Sequence, residues 1–313
     1  MPIYCPACGK PSHHGSVVPG QAMICPHCTS RIAAPSSAET LPPADEATPQ
    51  PRPVEPEGVP FGRYRLVQEL GRGGMGVVWK AWDMQIGRVV ALKQILVAGG
   101  LPVGRGERFL REARIAARLH HPGIVSVLDV GEHDGRPYYT AEFIDGERLE
   151  ERMRPRIEVR QAVVWTKAIA EALHHAHAQG VIHRDVKPGN VLIDRQDRPH
   201  VMDFGLAKEV RPEGTPGARL TAEGVLMGTP QYMSPEQAGG KADRIGPASD
   251  QFALGVSLYE MIAGRLPFEG ESQLDLLNAI CDKEPARLAD ADADVRTIVM
   301  KALEKDPAAR YPT

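Results

Sequence analysis

The sequence predicts an α+β protein whose strands come first and whose helices follow. Residues 64–70 alternate apolar and polar side chains with the two-residue period of a strand, and residues 89–93 form a short apolar run that ends in a lysine. Residues 163–176 instead carry apolar side chains at helical spacing, and residues 251–264 are apolar nearly all round, as in a buried helix. A group of strands followed by a group of helices is typical of the α+β class.

Length and charge limit the function classes. At 313 residues and a net charge of −3, the chain has room for about two domains and lacks the basic excess of a nucleic-acid-binding protein. No apolar stretch approaches the roughly 20 residues that span a bilayer, and the N-terminus lacks the regions of a signal peptide. We therefore expect no nucleic-acid partner and a cytoplasmic protein, unless a C-terminal segment beyond residue 313 anchors it in a membrane.

Four of the five cysteines form two C-x2-C motifs near the N-terminus. Sixteen residues separate the pair Cys5 and Cys8 from the pair Cys25 and Cys28, a spacing typical of a structural zinc site with four thiolates. About 30 residues cannot bury a core of their own, so the metal would supply the folding energy. Residues 1–30 resemble a zinc ribbon.

Three alternatives remain open for this region. The thiols could form two disulfides, which a reducing cytoplasm disfavours. Iron could replace zinc, or one of the histidines His13, His14 and His27 could replace a thiolate.

Residues 31–60 separate the cysteine motifs from the rest of the chain. They contain eight prolines among alanine, serine, glutamate and threonine, with no apolar periodicity. This composition predicts an extended, disordered linker. A proline-recognition site is the alternative.

The densest group of polar side chains lies in residues 183–190, His-Arg-Asp-Val-Lys-Pro-Gly-Asn. Unpaired buried charge costs several kcal/mol, so packing alone rarely brings such groups together. The apolar runs 180–182 and 191–193 on either side predict two short buried strands with a polar loop between them.

Two further motifs accompany this loop. The glycine-rich segment 71–78 lies between two predicted strands, and not between a strand and a helix, which argues against a dinucleotide-binding fold. Asp203-Phe204-Gly205 follows a short apolar pair.

Taken with Lys93, these motifs and their order resemble bacterial, eukaryotic-like (Hanks-type) serine/threonine protein kinases. The resemblance covers residues 61–313. It implies a two-lobed fold, with a small antiparallel β lobe and one helix at 61–142, a mainly helical lobe at 146–313, and ATP between them. Members of the family normally continue with one more helix, so we expect the last helix to be missing from residues 61–313.

The resemblance assigns a role to each site residue. Asp185 would be the catalytic base, Lys187 would neutralise charge on the transferring phosphoryl group, and Asn190 and Asp203 would bind Mg2+ or Mn2+. The residues expected to contact ATP are Leu70, Gly71, Arg72, Gly73, Gly74, Met75, Gly76, Val78, Ala91, Lys93, Glu112, Glu142, Ile144 and Leu192.

Some of these roles are specific. Lys93 would bind the α and β phosphates and pair with Glu112 in the active state. Glu142 and Ile144 would offer backbone groups to adenine. Ala141 would be the gatekeeper, a position where relatives usually carry a larger side chain, and so predicts a deep back pocket.

Other residues have supporting roles by the same resemblance. Asp250 would anchor the backbone of the catalytic loop, and Glu236 would pair with Arg310. Thr215 and Thr221 are candidate phosphorylation sites whose phosphate would lie close to Arg184. The helix before the catalytic loop carries three histidines, which are expected on its surface: His174, His175 and His177.

The expected function is transfer of the γ-phosphate of ATP to serine or threonine hydroxyls of proteins, including the kinase's own activation loop in a homodimer. The expected cofactors are ATP, Mg2+ or Mn2+, and structural Zn2+. Three rival functions remain open. They are a pseudokinase scaffold, a zinc-ribbon binding protein with a regulatory kinase fold, and a small-molecule kinase.

Overall fold

The computed structural model divides the chain into two units, Met1–Val54 and Glu55–Thr313. It describes residues 3–4, 11–12, 23–24, 27–28, 31–32, 56–73, 76–95, 105–154, 157–204, 230–289 and 291–312.

The first unit contains two short antiparallel strand pairs. They are β1 (Ile3–Tyr4) with β2 (Pro11–Ser12), and β3 (Met23–Ile24) with β4 (Arg31–Ile32). Each pair brackets one C-x2-C motif. Strand β4 lies one residue beyond the predicted ribbon boundary, and three of the four cysteines fall outside the described residues, namely Cys5, Cys8 and Cys25.

Six antiparallel strands form the small lobe of the second unit, in the order β5-β6-β7-β8-β10-β9. They are β5 (Val59–Phe61), β6 (Tyr64–Gly73), β7 (Gly76–Asp83), β8 (Arg88–Ile95), β9 (Val127–His133) and β10 (Arg136–Glu142). Helix α1 (Arg105–Ala116) contacts β9 and β10. Strand β5 begins at Val59, inside the linker predicted at residues 31–60. Its Pro60 is compatible with a strand because β5 lies at the edge of the sheet, where proline is tolerated.

The two faces of this sheet bury different clusters. Tyr64 and Leu92 belong to the cluster on one face, whereas Phe109 of α1, Ala113 of α1 and Tyr139 belong to the cluster on the other. The two-residue period of a strand separates the faces, so neighbouring residues of β10 serve different clusters.

The predicted glycine-rich segment is a hairpin between β6 and β7, as its place between two strands indicated. Gly74 and Met75 lie outside the described residues. Gly76 has φ +150°, and a Cβ there would lie 2.0 Å from the backbone oxygen of Gln94. Close packing against β8 therefore requires glycine at position 76.

In the described part of the large lobe, a small sheet is combined with six helices. The sheet contains β11 (Gly146–Arg148), β12 (Val191–Asp194) and β13 (Pro199–Val201). The helices are α2 (Leu149–Arg152), α3 (Val159–Ala178), α4 (Pro235–Ala238), α5 (Pro247–Ala263), α6 (Gln273–Asp282) and α7 (Ala293–Ala302). Among the described residues, no helix is long and apolar enough to cross a membrane.

The end of α3 explains how the polar loop begins. Gly180 adopts φ +74° and donates its N–H to the His177 carbonyl at 2.9 Å, a left-handed helix termination that favours glycine. The strand predicted at 180–182 was wrong, because residues 181 and 182 form no strand. The backbone that follows them is held by a side chain of α5 instead of by a neighbouring strand.

The predicted ion pair between Glu236 and Arg310 is confirmed and is fully buried. The Arg310 guanidinium donates to both carboxylate oxygens of Glu236 at 2.9 Å, and its other N–H groups donate to backbone carbonyls of Glu304, Ala248 and Lys305. Ser249 of α5 donates to Glu236 at 2.7 Å. The pair thus joins α4, the start of α5 and the C-terminal end of the described chain.

We predict that Glu236→Gln lowers the free energy of unfolding by about 3–5 kcal/mol, since it leaves the buried Arg310 charge uncompensated. Urea denaturation of the full chain measures this. The control is Glu271→Gln, the same chemical change at an exposed position, which should stay within about 0.5 kcal/mol of wild type. Equal losses in both variants would contradict the anchoring role.

The same pair predicts a pH dependence. Burial alone would raise the pKa of Glu236, but Arg310 and Ser249 bring that pKa below its ordinary value. A carboxylate with a lowered folded pKa stabilises the fold above its unfolded pKa, about 4.3, and that stabilisation is lost as the pH falls through the folded pKa. Below pH ~4.3 the wild type should therefore lose stability more steeply than Glu236→Gln.

Candidate active site

A cleft of about 250 Å3 lies between the two lobes. Apolar side chains of the small lobe line one side and Leu192 of β12 lines the other, while the segment after β10 closes the rear. The predicted ATP-contacting residues that line it are Leu70, Val78, Ala91, Lys93, Glu142, Ile144 and Leu192. An apolar slot with few polar groups is a usual form for a nucleotide or small-molecule site.

Three of the predicted phosphate-binding glycines are described. Gly71 and Gly73 end β6 and Gly76 begins β7, and these three do not belong to the cleft lining. A Cβ on Gly73 would meet nothing within 4 Å, which leaves this backbone accessible to a ligand. The Arg72 guanidinium donates to the Glu69 carboxylate at 2.7 and 3.0 Å.

The inner end of the cleft carries a charged group. Lys93 Nζ lies 2.7 Å from Oδ2 of Asp203, and the Tyr139 hydroxyl donates to Oδ1 of the same carboxylate. Burial alone would raise the pKa of Asp203, but Lys93 and the hydrogen bonds from Lys93 and Tyr139 keep that pKa below its ordinary value. Asp203 is therefore a carboxylate at neutral pH.

Glu112 is not joined to Lys93 in this structure. It is half-buried on α1, and among the described residues the ion-pair partner of Lys93 is Asp203. The Lys93 ammonium thus compensates the buried Asp203 charge, which leaves the predicted pair with Glu112 unformed here.

The catalytic loop holds its three predicted residues together. Lys187 Nζ donates to Oδ2 of Asp185 at 2.8 Å. The side-chain nitrogen of Asn190 donates to the same oxygen at 2.9 Å and to the Asp185 backbone carbonyl at 2.7 Å. The Asp185 carboxylate is still 30% exposed, so it is oriented from two sides and open to a substrate from a third.

Asp250 of α5 anchors this loop, as predicted. Its carboxylate accepts the backbone N–H of His183 at 2.8 Å and that of Arg184 at 2.7 Å. His177 also hydrogen-bonds to it, through Nε2 at 2.7 Å, so the prediction that this histidine lies on the helix surface was wrong. The one local sequence feature that could have indicated this role for His177 is its place in the last turn of the helix that leads into the loop.

Two residues of the site have strained backbones. Arg184 has φ +68° and Asp203 has φ +64°, a region that side chains other than glycine occupy at a cost. His183 secures both segments, since its ring contacts Phe204 at 4.7 Å between centroids and hydrogen-bonds to the Met202 carbonyl at 2.9 Å. These contacts keep the Asp185 and Asp203 segments in register with each other.

Ala141 lines the cleft, and the deep back pocket expected from its small side chain stays a prediction. The lining also includes Ala116, Ile124, Val125 and Tyr139. A larger side chain at position 141 would project into this space, because Ala141 itself lines the cleft.

The profile of the protein kinase domain family matches residues 64–313, about four fifths of the chain. The chain belongs to the protein kinase family. The structure of its kinase domain agrees with this, since it superimposes on the crystal structure of the Mycobacterium tuberculosis PknI kinase domain with a TM-score of 0.63. That comparison covers 82% of this chain and 94% of the PknI kinase domain, at 30% identity.

Curated bacterial kinases are similar over the same region. The serine/threonine-protein kinase PknA of Mycobacterium tuberculosis is 41% identical over 258 residues, covering 80% of this chain and 58% of PknA. The DNA damage-responsive serine/threonine-protein kinase RqkA of Deinococcus radiodurans is 42% identical over 233 residues, covering 72% of this chain and 33% of RqkA. The matched region thus spans less than two thirds of either relative.

Several predicted kinase residues lie outside the described part of the chain. They are Gly74 and Met75 of the glycine-rich hairpin, Gly205, and the candidate phosphorylation sites Thr215 and Thr221.

We predict that Ala141→Met excludes bulky adenine analogues from the kinase cleft. The longer side chain would fill the space behind position 141, so competition by N6-benzyl-ATP against ATP should weaken roughly tenfold or more. Competition binding measures the change, and ATP itself serves as the reference ligand. Ala178→Met, at an exposed position of α3, is the control and should leave both ligands unaffected. Unchanged competition in Ala141→Met would show that the analogue does not enter this pocket.

Proposed function

We propose that this protein is a serine/threonine protein kinase, which transfers the γ-phosphate of ATP to hydroxyl groups of protein substrates. The observation that carries the proposal is the Asp185 carboxylate, held by Lys187 and Asn190 beside the interlobe cleft. The curated relatives that match this region carry serine/threonine-protein kinase in their names.

Each polar group has a role in this reaction. Asp185 orients the substrate hydroxyl and accepts its proton as the oxygen attacks phosphorus. Lys187, 2.8 Å from Asp185, places a positive charge where negative charge develops during transfer. Lys93 binds the ATP phosphates once they replace Asp203 as its partner.

The residues present suit a magnesium ion, which the kinase family uses with ATP. Both side-chain hydrogen bonds of Asn190 use its amide nitrogen, so its amide oxygen remains available as a ligand. Asp203 supplies carboxylate oxygens, and hard oxygen donors of these two kinds suit Mg2+ or Mn2+. When bound, the ion would neutralise phosphate charge and orient the transferring group.

Two observations favour serine and threonine as acceptors over tyrosine or a small molecule. One is the naming of the relatives. The other is the pairing of Lys187 with Thr229 in the sequence, which is the serine/threonine pattern of the family. Thr229 belongs to residues 228–236, which resemble the segment that receives the peptide in this family, and it lies outside the described residues.

Arg184 supports regulation by phosphorylation of the activation loop. Its Nε is buried and has no hydrogen-bond partner within the described part of the chain. A buried guanidinium nitrogen without a partner is costly, and a phosphothreonine would satisfy it with charge-assisted hydrogen bonds. The residues proposed to carry that phosphate group are Thr215 and Thr221.

We predict that the purified chain phosphorylates itself with Mg-ATP and that Asp185→Asn abolishes this, because an amide cannot accept the proton. Mass spectrometry locates the phosphates, which we expect on Thr215 or Thr221. Asp282→Asn, the same change at an exposed position, is the control and should retain activity.

A second arm of this experiment tests phosphorylation in trans within a homodimer. Wild-type chain mixed with isotopically labelled Asp185→Asn chain should place phosphate on the inactive copy. If neither the chain nor a generic protein substrate gains phosphate, the kinase proposal fails and a pseudokinase scaffold is favoured.

We further propose that Cys5, Cys8, Cys25 and Cys28 bind one structural zinc ion as a zinc ribbon. Support comes from the two antiparallel strand pairs, each of which brackets one C-x2-C motif as a hairpin would. This site requires reduced thiols, in keeping with a cytoplasmic location.

We predict one zinc ion per chain, lost in Cys25→Ser because a four-thiolate site loses a ligand. Elemental analysis of the purified full chain measures it. Cys281→Ser, which changes the cysteine of the kinase domain, is the matched control and should retain the metal. Iron in place of zinc, or a chain without metal whose thiols resist alkylation, would contradict the proposal.

A further inference from the structure

Tyr139 is a residue of the cleft that the predicted catalytic machinery does not use. It lies on β10, directly opposite Lys93 on β8 in the antiparallel register. Side chains of such a cross-strand pair lie on the same face of the sheet. Both of them reach Asp203, Lys93 to Oδ2 and Tyr139 to Oδ1.

The phenol ring is fixed independently of its hydroxyl. Tyr139 is 5% exposed, and its ring packs against Phe109 of α1 at 5.8 Å between centroids. A phenol keeps its proton at neutral pH, so the Tyr139 hydroxyl acts as a donor to the Asp203 carboxylate. The hydroxyl is therefore presented to Asp203 by packing.

The two partners of Asp203 differ in what happens when a nucleotide binds. Under the proposed function, Lys93 turns to the phosphates and its contact with Asp203 weakens. Tyr139 has no proposed role in binding the phosphates, so its hydrogen bond to Asp203 persists. Each carboxylate oxygen has two lone-pair sites, so Oδ1 can accept from Tyr139 while the carboxylate also binds a cation.

We propose that the Tyr139 hydroxyl is a positioning group, which holds the Asp203 carboxylate in the orientation that binds the divalent cation of the nucleotide. The inference rests on the proposed kinase function and adds a residue to it. Hydrogen bonds to metal-binding carboxylates orient the ligand, and losing one typically costs 10–100-fold in metal affinity. Asp203 also has a left-handed backbone conformation. A strained residue persists only when its surroundings hold it, so the hydrogen bond from Tyr139 helps to hold Asp203 in place.

The test compares nucleotide binding with and without Mg2+ in the full chain. The probe is adenylyl imidodiphosphate, which is not hydrolysed, and the measured quantity is the ratio of its Kd without Mg2+ to its Kd with Mg2+. Tyr139→Phe removes only the hydroxyl. We expect this ratio to fall about tenfold, with the metal-free Kd unchanged within about twofold.

Tyr138→Phe is the matched control. It makes the same change on the same strand, but Tyr138 packs against Phe61 and Tyr64 on the other face of the sheet. We expect its ratio to equal that of the wild type.

Two results would overturn the inference, namely a larger ratio or an unchanged ratio in Tyr139→Phe. An unchanged ratio in which both Kd values weaken equally would indicate a structural role only. A wild-type chain that binds no nucleotide under either condition would instead refute the proposed function, and the inference with it. Thermal unfolding of both variants shows that the ratio is measured on folded protein.

Discussion

The buried carboxylate of Asp250 is the constraint on which the catalytic loop depends. Asp250 is 1% exposed, and a buried charge is tolerated only when hydrogen bonds satisfy it. Three donors do so, namely the backbone N–H groups of His183 and Arg184 and the ring of His177. The loop backbone is thereby fixed to a buried helix, including the strained turn at Arg184, and Asp185 follows in a set position.

The first turn of α5 ties together more than the loop. Ala248 offers its carbonyl to Arg310, Ser249 donates to Glu236, and Asp250 accepts from the loop. Three consecutive residues thus connect the C-terminal end of the described chain, helix α4 and the loop at residues 183–190. Buried ion pairs are weak evidence of net stability, so the value of this arrangement is positional.

Asp203 links the lobes, because both of its side-chain partners, Lys93 and Tyr139, belong to the small lobe. Lys93 therefore has two competing anions, the carboxylate of Asp203 and the phosphates of a nucleotide. A phosphate ligand carries more charge and additional oxygens, so it can draw the ammonium away from a single carboxylate. In this structure Lys93 pairs with Asp203, so its charge is compensated without an ion pair to Glu112.

Local sequence patterns gave the elements, and family resemblance gave the long-range pairs. Periodicity predicted β6, β8 and α3. No local pattern could pair Tyr139 with Asp203 or His177 with Asp250, because 64 and 73 residues separate them. The strand predicted at 180–182 was wrong for a related reason. The backbone that follows it is held by Asp250, which lies 67 residues beyond His183 in the chain.

Strand β10 shows why the Tyr139 hydroxyl, which sequence analysis missed, can be removed without disrupting the fold. Its two-residue period directs Tyr139 and Ala141 to the cluster on the cleft side, while Tyr138 packs against the cluster on the opposite face. Removing a hydroxyl on the cleft side leaves the apolar contacts of both clusters in place. Neighbouring residues of β10 on opposite faces thus serve the chemistry of Asp203 and the packing of the sheet. A substitution that alters one of these properties need not alter the other.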